Sequence, residues 1–201
     1  MRVGKWPAFV HTPLKLYNGG WSAEPASATA AGCVAFAIGF DAAGSILNPS
    51  IACGVTGLRP RFGRVSGFGA ASLSWSQDRI GPLCRTVEDC ASVFHAIARA
   101  DETDLTVMDL PFNWDGAVDI RRLRVGYLEA AFREAGRDND WRKNDHETLE
   151  VLKALGVMPE PFELPAISLA VTTGLRWAES GASFDSPLRD GRLQKRRTRS
   201  A

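Results

Sequence analysis

One stretch limits what this chain can fold into. From Gly19 to Pro60 it runs GGWSAEPASATAAGCVAFAIGFDAAGSILNPSIACGVTGLRP, dense in Gly, Ala and Ser and almost free of charge. Small residues let backbones approach closely and let a loop turn sharply. The stretch reads as a small-residue helix over Pro25 to Ala35, a buried strand over Phe36 to Phe40, and a tight loop, Asp41 to Ser45, ending in Gly44-Ser45. In such a setting backbone N–H groups can be aimed at a developing negative charge.

The rest of the chain supplies alternating helices and strands. Thr86 opens the clearest helix, running to Ala100, with Asp89 at capping-box spacing. Val87, Cys90, Ala91, Phe94, Ile97 and Ala98 form its apolar face, and Glu88, Ser92, His95 and Arg99 the opposite stripe. Val55 to Leu58 and Leu123 to Leu128 read as strands, and Met158 to Leu164 as a further one. Leu73 to Arg79 alternates only weakly. Asp145 reads as the cap of a helix from His146 to Leu155 that Gly156 stops. Pro165 to Ser183 reads as a final helix. The expected fold class is α/β.

Composition narrows the function classes. Of 201 residues, 45% are hydrophobic, enough for a core, and the net charge of +1 implies no steering of nucleic acid or membrane. Cys33, Cys53, Cys84 and Cys90 form no C-x-x-C and are expected to be free thiols, buried in a reducing compartment. No run reaches the ~18 apolar residues a membrane span needs. MRVGKWPAFV makes a poor secretory leader, because Pro and Trp interrupt it. A cytoplasmic location is expected. The basic residues Arg189, Arg192, Lys195, Arg196, Arg197 and Arg199 have no aromatic neighbours after Phe184 to stack bases, so the end of the chain reads as a solvated tail.

A serine hydroxyl needs a base before it can act as a nucleophile. His11 is isolated, His95 lies on an exposed stripe, and His146 opens a helix without H-E-x-x-H, so a Ser-His-Asp triad is not expected.

The ordered motifs Pro25-Ala-Ser-Ala-Thr-Ala-Ala-Gly, Phe40-Asp41-Ala42-Ala43-Gly44-Ser45-Ile46, the run CGVTGLRPRFGRVSG from Cys53, and Ala71-Ser-Leu-Ser-Trp-Ser-Gln-Asp resemble the amidase signature family, serine hydrolases that cleave carboxamides. The resemblance implies a partial amidase-signature fold with a mixed central sheet flanked by helices. It divides the chain into a divergent segment, 1–24, an incomplete amidase-like core, 25–184, and a basic tail, 185–201. It makes Ser45 the position of the nucleophile and the N–H groups of Ala42, Ala43, Gly44 and Ser45 the oxyanion hole. An Ala at position 43 fits only with a negative φ. The family's proton-relay serine falls on Trp21, whose indole cannot relay a proton. Ser22 is the only local substitute, and as a bare sequence feature it is equally a helix-cap serine. The family's lysine base has no clear counterpart, since neither Lys5 nor Lys15 follows an apolar strand or precedes Asp.

Two readings stay open. One is an amidase acting through Ser45 on glutamine or another small carboxamide, with amidotransferase subunits as partners and no cofactor or metal. The other is a catalytically inactive, truncated amidase-like fragment. Neither implies a membrane or nucleic-acid partner.

Overall fold

Alanine makes the first element. It has the strongest intrinsic helix propensity, and helix α1 spans Ala23–Ala30 with the sequence AEPASATA. Pro25 sits in the first turn, where an N–H has no intrahelical partner to lose, and Glu24 complements the positive end of the helix dipole. The helix ends at Ala30 rather than Ala35, because Gly32 turns to a φ of +73°. The structure is a computed structural model, which describes residues 22–133, 138–165 and 168–191. They fall into two units, one formed by residues up to Trp114 together with those from Ala170, the other by Asp115–Leu169.

The first unit is built on a three-stranded sheet. Strands β1 (Phe36–Asp41), β2 (Thr56–Gly57) and β3 (Arg79–Cys84) pair in the order β1-β3-β2, antiparallel throughout. Helix α2 (Leu47–Cys53) links β1 to β2, and α3 (Val87–Ile97) follows β3. The α/β class is as expected.

β3 is not expected from sequence, because a proline within a strand argues against a central position. Register removes the objection. Ser22 Oγ donates to the Phe40 carbonyl (3.2 Å) and accepts from the Phe40 N–H (3.1 Å). Both main-chain groups of Phe40 therefore point away from β3. Antiparallel pairs alternate between bonded and non-bonded sites, so Ile38, two residues along and opposite Pro82, also asks nothing of β3. Pro82 still accepts from the Leu58 N–H at 3.0 Å. The missing proline donor costs the sheet a single bond on the β2 side.

Close approach is the second local requirement. Gly39 and Gly81 face each other across β1 and β3. A Cβ on Gly39 would lie 2.7 Å from Leu83 Cδ1 and 2.9 Å from Ile46 Cγ1, and one on Gly81 would run into the Leu58 carbonyl oxygen. The space is filled from the helices instead. Ala26 of α1, Ile46 before α2 and Leu83 of β3 are fully buried together, with Cys53 and Val55 packed against them. Each large apolar side chain buried this way contributes about 1.5–3 kcal/mol.

Helix α3 follows its sequence pattern. Cys90, Ala91 and Phe94 are buried, while Glu88, Ser92, His95 and Arg99 are exposed. Val87, expected on the buried face, is exposed in the first turn. Thr86 Oγ1 accepts from the Asp89 N–H at 3.0 Å. Thr86→Ala is expected to cost about 1 kcal/mol, read as a lower urea midpoint at unchanged slope. None of the four cysteines forms a disulfide, but Cys33 is exposed and Cys53 only partly covered. Burial pushes the Cys84 thiol up and the Cys90 thiol up to about 12, so neither is a ready thiolate.

The last described helix, α6, spans Leu169–Arg189. It runs past the 184/185 boundary drawn from sequence, so the first residues of the expected tail are helical. Residues 192–201 lie outside the described set.

In the second unit, β4 (Gly126–Leu128) and β5 (Glu160–Phe162) pair in parallel, with α4 (Glu129–Phe132) and α5 (Asn139–Ala154) between them. Among the described residues the strands form two sheets, one antiparallel and one parallel. α5 begins well before the expected His146. Its cap is Asp138, which accepts from the Asp140 N–H at 2.7 Å, and Asp145 lies inside the helix. Trp141 is the one apolar residue of the first two turns, and a single apolar side chain shows no helical period. Gly156, at φ +83°, ends the helix as expected. Among the described residues, no helix is long and apolar enough to cross a membrane.

Candidate active site

The turn after β1 is organised by one carboxylate. Asp41 is fully buried at the strand's end. Its Oδ1 accepts from the Gly44 N–H (2.6 Å) and from Arg59 Nε (2.9 Å), and its Oδ2 accepts from the Ile46 N–H (2.8 Å). Arg59 also donates to the Gln77 carbonyl at 3.3 Å. Burial by itself would raise the Asp41 pKa, but the two N–H bonds and the Arg59 guanidinium outweigh it and hold it below the usual 3.8. Asp41 and Arg59 are, with Glu24, the only charges between Gly19 and Pro60. Two lone, opposite charges in an apolar stretch were the available sequence signal for this pair.

The peptides on either side of Ser45 are thus strapped to Asp41, and Ser45 stands between them, half-buried. Its hydroxyl and its N–H make no hydrogen bond among the described residues, and neither do the N–H groups of Ala42 and Ala43. The Gly44 N–H, the remaining oxyanion candidate, is taken by Asp41. Gly44 supplies a φ of +108°, which an L-residue rarely adopts. Ala43 keeps a negative φ, because Glu102 is the one non-glycine residue at positive φ among those described. The condition set for alanine at that position is met.

Ser22 is buried, but its side chain does not cap α1. Its hydroxyl is committed to Phe40, as described above. The Ser22 Oγ and Ile46 Cγ1 both lie within 3 Å of the point where a Gly39 Cβ would stand, at 2.8 and 2.9 Å. That brings Ser22 alongside the residue that follows Ser45. Trp21, His11, Lys5 and Lys15 lie outside the described residues. The described part of the first unit contains no lysine and one histidine, the exposed His95.

A second buried carboxylate has no local signature. Glu179 of α6 accepts from Ser74 Oγ (2.5 Å) and from the Ser76 N–H (3.2 Å). Burial opposes ionisation there, and the serine bonds reverse it, so its pKa falls below the ordinary glutamate value. The pair ties α6 to the 72–78 loop, which leads into β3. The stretch Ala178-Glu-Ser-Gly-Ala-Ser stands out in the sequence, but nothing local shows what its glutamate reaches.

The family model named Amidase matches residues 13–197. A glutamyl-tRNA(Gln) amidotransferase A-subunit from Staphylococcus saprophyticus is 38% identical over 186 residues, covering 91% of this chain and 38% of the relative. Its counterpart of the same name from Geobacillus kaustophilus is 41% identical, over 89% of this chain and 37% of its own length. The crystal structure of the Thermotoga maritima glutamyl-tRNA(Gln) amidotransferase A-subunit matches with a TM-score of 0.76 at 28% identity, over 90% of this chain and 42% of that one. The native peptide amidase of Stenotrophomonas maltophilia matches with a TM-score of 0.66 at 29% identity, over 83% and 36%. This chain therefore spans about 38% of the length of the curated relatives it matches.

Proposed function

The chain belongs to the amidase family, and from that premise we propose that its first unit is the part of an amide-cleaving serine hydrolase that carries the nucleophile, Ser45. One observation supports this reading most. The Asp41 carboxylate holds the N–H groups of Gly44 and Ile46 on either side of Ser45, and among the described residues the serine's own hydroxyl and N–H make no hydrogen bond. A positioned hydroxyl beside unspent main-chain donors is the arrangement acyl transfer requires.

The chemistry follows from the positions. A base removes the Ser45 proton as Oγ attacks the carbonyl carbon of a carboxamide. The oxygen gains negative charge, which the N–H groups of Ala42, Ala43 and Ser45 face. The Gly44 N–H joins them only if Asp41 releases it. Each such donor is worth about 10²–10³ in rate. The C–N bond breaks, the nitrogen leaves with a proton as ammonia, and water then hydrolyses the acyl-serine. The base is a lysine outside the described residues of this unit, either on this chain or on an assembling partner. Two relatives carry the name of an amidotransferase component. In line with that, the proposal includes a small carboxamide such as glutamine as substrate, amidotransferase subunits as partners and a cytoplasmic setting.

A serine-directed fluorophosphonate probe with peptide mass mapping tests this. Label on Ser45 is expected, and it should vanish in Ser45→Ala at unchanged circular dichroism. A folded, unlabelled chain would favour a second reading, an amidase-like protein without turnover. Ser22 favours that reading: its hydroxyl spends donor and acceptor on Phe40, so it can relay a proton only by giving up that contact.

A further inference from the structure

A cavity of about 300 Å³ opens in the first unit, between the 67–78 loop and the 103–106 loop. Ser45 does not line it. Three aromatic residues do, Phe40, Phe68 and Trp75, along with two carboxylates, Asp78 and Asp104. Phe68 is 71% exposed and Trp75 54% exposed. They are large rings at a pocket rim, with faces the fold itself does not cover.

The carboxylates are held in different ways. Asp78 Oδ2 accepts from Ser72 Oγ (2.9 Å), the Leu73 N–H (2.8 Å) and the Ser74 N–H (3.1 Å). Its Oδ1 is closed off from solvent and has no hydrogen-bond partner among the described residues, so Asp78 acts on the cavity through its charge rather than by direct contact. Asp104 accepts from Thr106 Oγ1 (2.6 Å), the Thr106 N–H (3.0 Å) and the Gly67 N–H (2.8 Å). Those bonds pull its pKa below the ordinary value, so it keeps its charge. Asp101 and Glu102 precede it and add to the negative field.

The cation next to Asp78 in sequence is turned elsewhere. Arg79 donates to the Ser76 and Asp78 carbonyls and lies 4.9 Å from the centre of the Phe62 ring, and it does not line the cavity.

Aromatic faces carry negative quadrupole density and attract cations. Carboxylates attract the same ligands and repel anions. The volume lies at the lower end of the ~300–1,000 Å³ typical of ligand sites. We propose that this cavity binds a small organic cation, a primary ammonium or guanidinium group carried on a short apolar body. The charged head lies toward Asp78 and Asp104, and the body lies against Phe68 and Trp75. The site is separate from the Ser45 turn, and its occupancy does not depend on amide cleavage.

Calorimetric titration of the whole chain with butylammonium chloride tests it, with 1-pentanol and pentanoate as neutral and anionic controls of similar size. Saturable binding of the cation is expected, about tenfold or more tighter than the alcohol, with none for the anion. Asp78→Asn should weaken it by about tenfold. Trp75→Ala, at a position 54% exposed, should weaken it several-fold. Ser45→Ala should leave it unchanged, which separates this site from the amidase reading. The proposal is overturned if folded wild-type chain gives no saturable heat, if butylammonium and 1-pentanol bind alike, or if Trp75→Ala binds as wild type. The last comparison stands even if Asp78→Asn fails to fold.

Discussion

Gly81→Ala is expected to destabilise the chain by about 3 kcal/mol or more, at the upper end of what overpacking costs. The added methyl would run into the Leu58 carbonyl oxygen and lie 2.9 Å from Pro60 Cδ. Neither neighbour can yield cheaply. Leu58 is fixed by its N–H bond to the Pro82 carbonyl, and Pro60 is a buried, rigid ring. β3 is the middle strand, so any shift there moves both partners. Domains of this kind hold about 5–15 kcal/mol in total, so this loss removes a large share of the stability. Gly69→Ala is the control. Gly69 has a φ of +80° with nothing within 4 Å of its missing Cβ, so alanine there meets backbone strain alone, about 1–2 kcal/mol. Equal urea midpoints for the two variants would refute the packing account.

Asp41→Asn should be nearly as damaging, at about 3 kcal/mol. The amide matches the carboxylate in shape but not in hydrogen bonding. It offers one acceptor where three donors converge, the Gly44 and Ile46 N–H groups and Arg59 Nε. It also leaves Arg59 without its counter-charge. The turn carrying Ser45 should loosen, and fluorophosphonate labelling should fall with it. The same carboxylate sets an acid limit. Its folded pKa lies below the usual 3.8, so its contribution is fully present well above that value and is lost as pH falls through and below it. Urea titrations at neutral pH and near pH 3 should show the gap between wild type and Asp41→Asn shrinking toward the acid end. A gap that stayed constant would show that Asp41 acts through shape rather than charge.

Local signals predicted the elements made by local rules. Alanine density gave α1, helical apolar spacing with a threonine cap gave α3, and the Phe36–Phe40 run gave β1, although Phe36 and Ile38, expected to be buried, are exposed. The rest is decided by contacts between distant residues. β3 contains Gly81 and Pro82, and both look wrong for a central strand until Leu58 and Ser22 are in place. α5 begins at a cap followed by two turns whose one apolar residue is Trp141, too few for a period to show. The site shows the same division. Ser45 and its flanking glycine were legible as a motif, and the resemblance named their roles. The Asp41–Arg59 pair was visible only as two solitary charges. The bond from Glu179 to Ser74 spans 105 residues, which no local pattern can convey.

Ser22 carries a consequence for how residues at its position are interpreted. β1 lies at the edge of its sheet, and an open edge invites pairing with foreign strands. One hydroxyl closes the peptide at Phe40 by serving as donor and acceptor at once. Only a short side chain with both functions on a single atom can do so. Folding alone therefore keeps a hydroxyl residue at this position, whether or not a proton ever passes through it. In this chain the serine seals the edge that β1 presents among the described residues, whatever further role it has.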